Sequence, residues 1–347
     1  MNLRHLKSFL IFIAAALFYS CASNNKAIPS TVEVDGEEMD AVSAVVKLAP
    51  EMCVENPSRS RVELFTSIYP SHLEPLVSSM ENDVPALIKD FVSETGAASQ
   101  RQAIRNRFTA LPSDSFITDD ERIQKVFSDS ELVLENLYKL QTVQDAVAPV
   151  PEKIIVSEGE KKTFQIEKIS GDASVAYKKS RNALSEFYYD VAEIQFSAKT
   201  LETKLRLFAL YEKAMSYSDS DPGLAKNVRM SRLATDIGDV YLAMGNFEDR
   251  ETGLAWYKKS FAIYEDYPKT PQKIAAICFE LGRDMLKAAT VEEDNLRMSE
   301  LLEKAAQYLE DAGSYKNAAD LLIQAREMRR MNRQDAGYIE ENEESGN

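Results

Sequence analysis

The feature that most constrains what this chain can fold into is a recurrence in its second half. Leu210-Tyr211-Glu212-Lys213-Ala214, Trp256-Tyr257-Lys258-Lys259-Ser260 and Leu301-Leu302-Glu303-Lys304-Ala305 repeat one order of side chains at intervals of 46 and 45 residues. Each has two large apolar or aromatic residues, a charge, a lysine and a small residue. An Asp-Val pair precedes the first two copies at a similar distance, as Asp190-Val191 and Asp239-Val240. Self-similarity at this period marks stacked helix hairpins, because one hairpin leaves an apolar stripe that only a neighbouring hairpin can cover. The expected fold class is therefore all-α, with a helix-hairpin solenoid over residues 172–331.

Within that span, Ile237-Gly238-Asp239-Val240-Tyr241-Leu242-Ala243-Met244-Gly245-Asn246-Phe247 resembles the first helix and turn of a tetratricopeptide repeat. Ile237, Gly238 and Tyr241 stand where that family places a large residue, a small one and a tyrosine so that its two helices can approach closely. Gly253, Tyr257 and Ser260 occupy the matching places of the second helix. A three-residue expansion between Phe247 and Gly253 departs from the family pattern, and Pro268 comes correspondingly late. A second copy has Leu281, Gly282 and Met285, followed by Leu302 and Ala305. Ala305, Ala306, Leu309, Gly313, Tyr315, Ala318, Leu322 and Ala325 also fit the standard spacing, so two phasings share the helix around 296–311. The stretch 172–217 lacks the glycine of the first helix. The resemblance implies a concave groove lined by the first helix of each repeat. Carried onto this sequence, its protein-binding residues are Arg232, Thr235, Asp239 and Leu242 in one repeat and Phe279, Arg283, Leu286 and Lys287 in the next. For Leu242, Phe279 and Leu286, packing in the core is an equal alternative.

Residues 38–147 read as an irregular helical region. Met39, Val42, Val45, Val46, Ala49 and Met52 share one helical face, closed by Asn56-Pro57. Amphipathic segments follow at 60–69, 72–80, 83–94, 97–109 and 119–147, with Ser71, Asn82 and Thr118 placed to cap first-turn amides. Pro149 and Pro151 then stop the helical pattern. Ile154-Ile155-Val156, Glu158-Gly159 and the partial alternation from Thr163 to Ile169 suit a short hairpin, and an extended linker fits as well. Residues 148–171 are the expected domain boundary. The acidic residues of 332–347 read as a disordered tail.

The start of the chain has the grammar of an export signal. Arg4 and Lys7 precede an apolar run of 11 residues from Phe9 to Tyr19, and Ser20-Cys21 follows. At ~1.5 Å per residue that run falls far short of the ~30 Å hydrocarbon core of a membrane. Ser20-Cys21 resembles the cleavage site of bacterial lipoprotein signals, although Phe18 and Tyr19 depart from the preferred Leu and small residue. The resemblance implies removal of 1–20, attachment of a fatty acid such as palmitate to Cys21, and a tether over 21–37. The alternative is an ordinary secretory signal cleaved after Ala22. Either takes the protein out of the cytoplasm, and the lipoprotein reading places it in the bacterial cell envelope, facing the periplasm or the cell exterior.

Charge and composition narrow the function. The chain carries 41 Lys+Arg against 56 Asp+Glu, a formal net charge of −15; loss of Arg4 and Lys7 with the leader makes it −17. A surface this acidic repels phosphate backbones, so nucleic acid is a poor partner. Two basic islands run against the trend, Arg101, Arg105 and Arg107, and Arg326, Arg329, Arg330 and Arg333. Both read as solvated helix faces, with an acidic partner as the alternative.

Chemistry is sparse. Beyond the leader His72 is the one histidine, which leaves no basis for histidine triads or paired-histidine zinc sites. No Gly-rich phosphate loop and no GxSxG elbow occur. Glu186, Asp190 and Glu193 form carboxylate pairs at helical spacing, which a chain with 56 acids produces by chance. Cys53 and Cys278 read as small buried hydrophobes, with one long-range disulfide as the alternative. The expectation is a non-enzymatic protein without metal or cofactor, anchored to the membrane through lipid on Cys21. It would bind another envelope protein or peptide; an alternative is a ligand-binding accessory component of an envelope transport system.

Overall fold

The computed structural model describes residues 31–53, 58–68, 74–112, 115–147, 166–195, 199–219 and 222–335. Cys21, Ser71 and His72 lie outside them. The protein is all-α apart from one small hairpin: among the described residues twelve α-helices follow two short strands. The chain divides into two compact units, the first running to Ile194 and including Ser216–Asp219, the second made of Gln195–Met215 and the residues from Ser220 onward.

The first unit opens with strands β1 (Thr31–Val34) and β2 (Glu37–Asp40), paired antiparallel with Val34 opposite Glu37. Their two-residue turn, Asp35-Gly36, has φ of 58° and 79°, the left-handed pair that a tight hairpin of this twist requires. This corrects the expected tether to residue 37 and the expected helix face from Met39. Val32 and Val34 alternate with polar residues over too few positions to show a period, and the Asp-Gly pair is the signal that marks the turn. Arg61 pairs with Asp35 and lies 3.1 Å from Glu51, while Lys47 lies 3.4 Å from Asp35 and 3.3 Å from Glu37. Helix α1 (Ala41–Leu48) starts where the Asp40 carboxylate accepts the Ser43 amide at 2.9 Å, and a 3₁₀ turn, Ala49–Cys53, follows it.

Helices α2 (Arg59–Ile68), α3 (Glu74–Glu94), α4 (Gln100–Ala110), α5 (Glu121–Val147) and α6 (Ile166–Ile194) complete this unit. The two segments expected at 72–80 and 83–94 are one helix with Pro85 inside it. Proline removes a single amide donor. The stripe of Met80, Val84, Ile88 and Phe91 stays buried across it. Asn82 is therefore no cap; its carbonyl oxygen accepts a hydrogen bond from Lys179 at 3.0 Å. Nor does Thr118 cap α5. It sits in a 3₁₀ turn, and Asp120 accepts the amides of Arg122 and Ile123 at 3.0 and 3.2 Å.

Val34, Val45, Leu48, Phe65, Ile68, Leu137 and Ala176 pack in one core. In another part of the unit Phe187 of α6 meets Phe91 and Phe127 edge-on, at ring separations of 5.6 and 5.4 Å. Helix α6 packs on α3, α4 and α5. The units accordingly part at Ile194, beyond the boundary expected at 148–171, and α6 begins at Ile166, inside that stretch. Helical periodicity alone could not show which neighbours α6 would choose.

The second unit holds α7 (Leu201–Ser216), α8 (Leu224–Met244), α9 (Phe247–Ile263), α10 (Thr270–Ala289), α11 (Asn295–Asp311) and α12 (Ala318–Asp335). Successive helices pack as hairpins, α8 on α9, α10 on α11 and α11 on α12, and α9 also packs on α10. Between α8 and α9, Gly245 takes φ 86° and the Asn246 side chain accepts the Asp249 amide at 2.7 Å. The α8–α9 seam is built on small residues. A Cβ on Gly238 would stand 3.1 Å from the Gly253 carbonyl oxygen and 3.2 Å from the Tyr257 ring. Two helical turns away, Ser231 and Ser260 exchange hydroxyl-to-carbonyl bonds of 2.8 Å in both directions. The α10–α11 seam repeats the device with Gly282, where a Cβ would come within 2.7 Å of Leu309 and 3.2 Å of the Ala305 carbonyl. Helix α12 continues to Asp335, so the expected tail from 332 begins as helix. Among the described residues no helix is long and apolar enough to cross a membrane.

Candidate functional site

The eight residues singled out for the first helices of the hairpins divide by burial. Thr235, Phe279 and Leu286 are buried. The Thr235 hydroxyl lies 3.0 Å from that of Ser260, which ties α8 to α9. Phe279 meets Tyr315 edge-on at 5.8 Å, and the Lys316 ammonium sits 5.1 Å above the Phe279 ring. Leu242 is half-buried against the position of a Gly253 Cβ. These four hold the hairpins together, and a partner could reach Thr235, Phe279 and Leu286 only by unpacking the seam.

Arg232, Asp239, Arg283 and Lys287 are exposed. Arg232 and Asp239 stand seven residues apart on α8, and Arg283 and Lys287 stand four apart on α10, so each pair shares a helical face. Asp239 is a junction: it accepts a hydrogen bond from the Tyr257 hydroxyl and an ion pair from Lys273 of α10 at 2.6 Å. Burial, and then the Asp239 carboxylate, push the Tyr257 hydroxyl above its usual range. Next to Arg283, Asp284 pairs with Arg250 at 2.8 Å. Its partial burial pushes the carboxyl up, but the Arg250 hydrogen bond and the charges of Arg250 and Arg283 outweigh that and hold it below 3.8. The exposed set is thus three cations and one anion, on a chain whose total charge is −15.

Other expected features resolve as packing. Arg101, from the first basic island, pairs with Asp190 at 2.6 Å and Glu193 at 3.1 Å, and Gln100 donates to Asp190 at 2.8 Å. Desolvation raises the Asp190 carboxyl despite that arginine. In the second island Arg326 pairs with Glu310 and Arg329 with Glu303. Cys278 is a free thiol buried among Ile277, Leu281 and Leu302, and burial pushes it up to about 11, which suits a core residue and not a nucleophile. Among the described residues no cluster of His, Cys, Asp or Glu is arranged as metal ligands.

A cleft of about 330 Å³ between α9 and α11 was not anticipated. Glu251, Leu254, Ala255 and Lys258 line it from α9, at the i, i+3, i+4, i+7 spacing of one face; Lys304, Gln307, Tyr308 and Asp311 repeat that spacing on α11. Tyr308 donates to Glu251, and Lys258 pairs with Asp311 at 2.8 Å, so the two helices run parallel. The matched stripes are visible in the sequence, but charged heptad spacing there reads equally as a solvated face.

No protein-family model matches the chain, and no curated protein matches it.

Proposed function

We propose that the chain is a lipid-anchored protein of the bacterial cell envelope, a scaffold that binds another protein through the exposed faces of α8 and α10. The observation that carries this reading is the sorting of side chains on those two helices. The apolar and hydroxyl members, Thr235, Phe279 and Leu286, are spent on the seams, while Arg232, Arg283 and Lys287 face solvent. Among the described residues Lys287 has no ion-pair partner. Cations displayed on successive hairpins suit a polypeptide segment carrying Asp or Glu, because a charge-assisted bond to carboxylate is among the stronger polar contacts available at a surface. The tetratricopeptide resemblance supports the same face, as the helix on which that family binds its ligands.

The anchor is argued from the leader, with its 11-residue apolar run and Ser20-Cys21. Growth of the native bacterium with radioactive palmitate tests it. Label is expected in the wild-type protein and absent from Cys21→Ala; a wild type without label, or a labelled Cys21→Ala, overturns the anchor.

A further inference from the structure

The cleft between α9 and α11 has polar capacity that the protein itself leaves open. Its apolar lining comes from Leu254, which is 4% exposed, and from Ala255, which is exposed. One end is closed by the Lys258–Asp311 pair at 2.8 Å. At the other end Glu251 has given one carboxylate oxygen to the Tyr308 hydroxyl and keeps the second. Lys304 and Gln307, both exposed, also line the cleft, and neither the ammonium nor the amide of this pair has a partner among the described residues. Two cations and two anions line the space, so its charge sums to zero. A volume of about 330 Å³ falls at the lower end of the ~300–1,000 Å³ range of small-molecule sites.

We infer that this cleft binds a free α-amino acid with a short apolar side chain. A neutral site with an open donor set and an open acceptor complements a zwitterion better than an anion or a cation, since each ligand charge then meets an opposite group that no other described side chain holds. The ligand carboxylate accepts from the Lys304 ammonium and the Gln307 amide. Its ammonium donates to the second oxygen of Glu251, and its side chain covers Leu254 and Ala255. The site lies on the second helices of the hairpins and is independent of the partner-binding face on α8 and α10.

Calorimetric titration of the full chain with L-valine tests this, with hydrogen exchange read by mass spectrometry to locate the effect. Valine is expected to bind and to slow exchange in α9 and α11. N-acetylvaline, which lacks the ammonium, and valinamide, which lacks the carboxylate, are each expected to bind roughly tenfold more weakly or worse. Lys304→Met is expected to abolish the difference between valine and valinamide while leaving thermal unfolding unchanged, because Lys304 makes no ion pair among the described residues; Glu251→Gln is expected to abolish the difference between valine and N-acetylvaline. Absence of valine binding overturns the inference. So does equal binding of the blocked compounds, protection confined to other helices, or a Lys304→Met protein that binds like wild type.

Discussion

At the scale of single residues, the account rests on close approach. Gly282 has no room for a methyl group: the nearest atom is Leu309 Cγ, at 2.7 Å, followed by Leu309 Cδ2 and the Ala305 backbone carbonyl. Leu309 is itself buried. Gly282→Ala gains up to ~1 kcal/mol of helix propensity but forces a shift of a packed seam that costs ~1–3 kcal/mol, so a net loss is expected in the urea unfolding midpoint. Asp284 gives a pH-dependent counterpart. Its folded value lies below 3.8, so its contribution is complete above that pH and is lost as pH falls through the lowered folded value. Asp284→Asn should therefore lower the midpoint near about pH 6, and the gap from wild type should narrow near about pH 3. The small residues of the seams, Gly238, Gly253 and Gly282, were legible in the sequence because their spacing has a single packing use. Lys273 was not. Thirty-four residues separate it from Asp239, and no local pattern fixes how one helix is rotated against another.

At the scale of elements, capping and turn chemistry set the boundaries. Asn246 closes the first turn of α9 while Gly245 ends α8, so this one junction fixes the α8–α9 hairpin. Asn246→Ala should cost about 1 kcal/mol, measured by thermal unfolding of the full chain. The helices α4, α5 and α8–α12 were largely readable from periodicity, since each keeps a buried stripe. Where the reading failed, a local signal was weighed wrongly. Asn82 reads as a cap between two segments, whereas the buried stripe carries a single helix through it and through Pro85. The Asp35-Gly36 turn joins strands of four residues each, too short for alternation to stand out in the sequence. Of the residues expected to bind a partner, Arg232, Asp239, Arg283 and Lys287 are exposed, whereas Thr235 is buried; a threonine at helical spacing looks the same in sequence whether its hydroxyl meets solvent or Ser260.

At the scale of the whole molecule, the division into two units follows from α6, whose aromatic face, Phe187 and Tyr188, packs onto Phe91 and Phe127. The second unit contains the hairpins and with them both proposed binding surfaces. A total charge of −15 makes a locally cationic face unusual on this molecule, and such a face selects its partner by charge before contact. The most direct measurement of the central claim is site-specific photo-crosslinking in intact cells, with the crosslinker placed in turn at positions 232, 283 and 287, and at position 327 on the outer face of α12 as a control. The account predicts one common adduct from the first three positions, none from 327, and loss of that adduct in an Arg283→Glu, Lys287→Glu protein. No adduct from the three positions, the same adduct from 327, or an adduct that survives the charge reversal would contradict it.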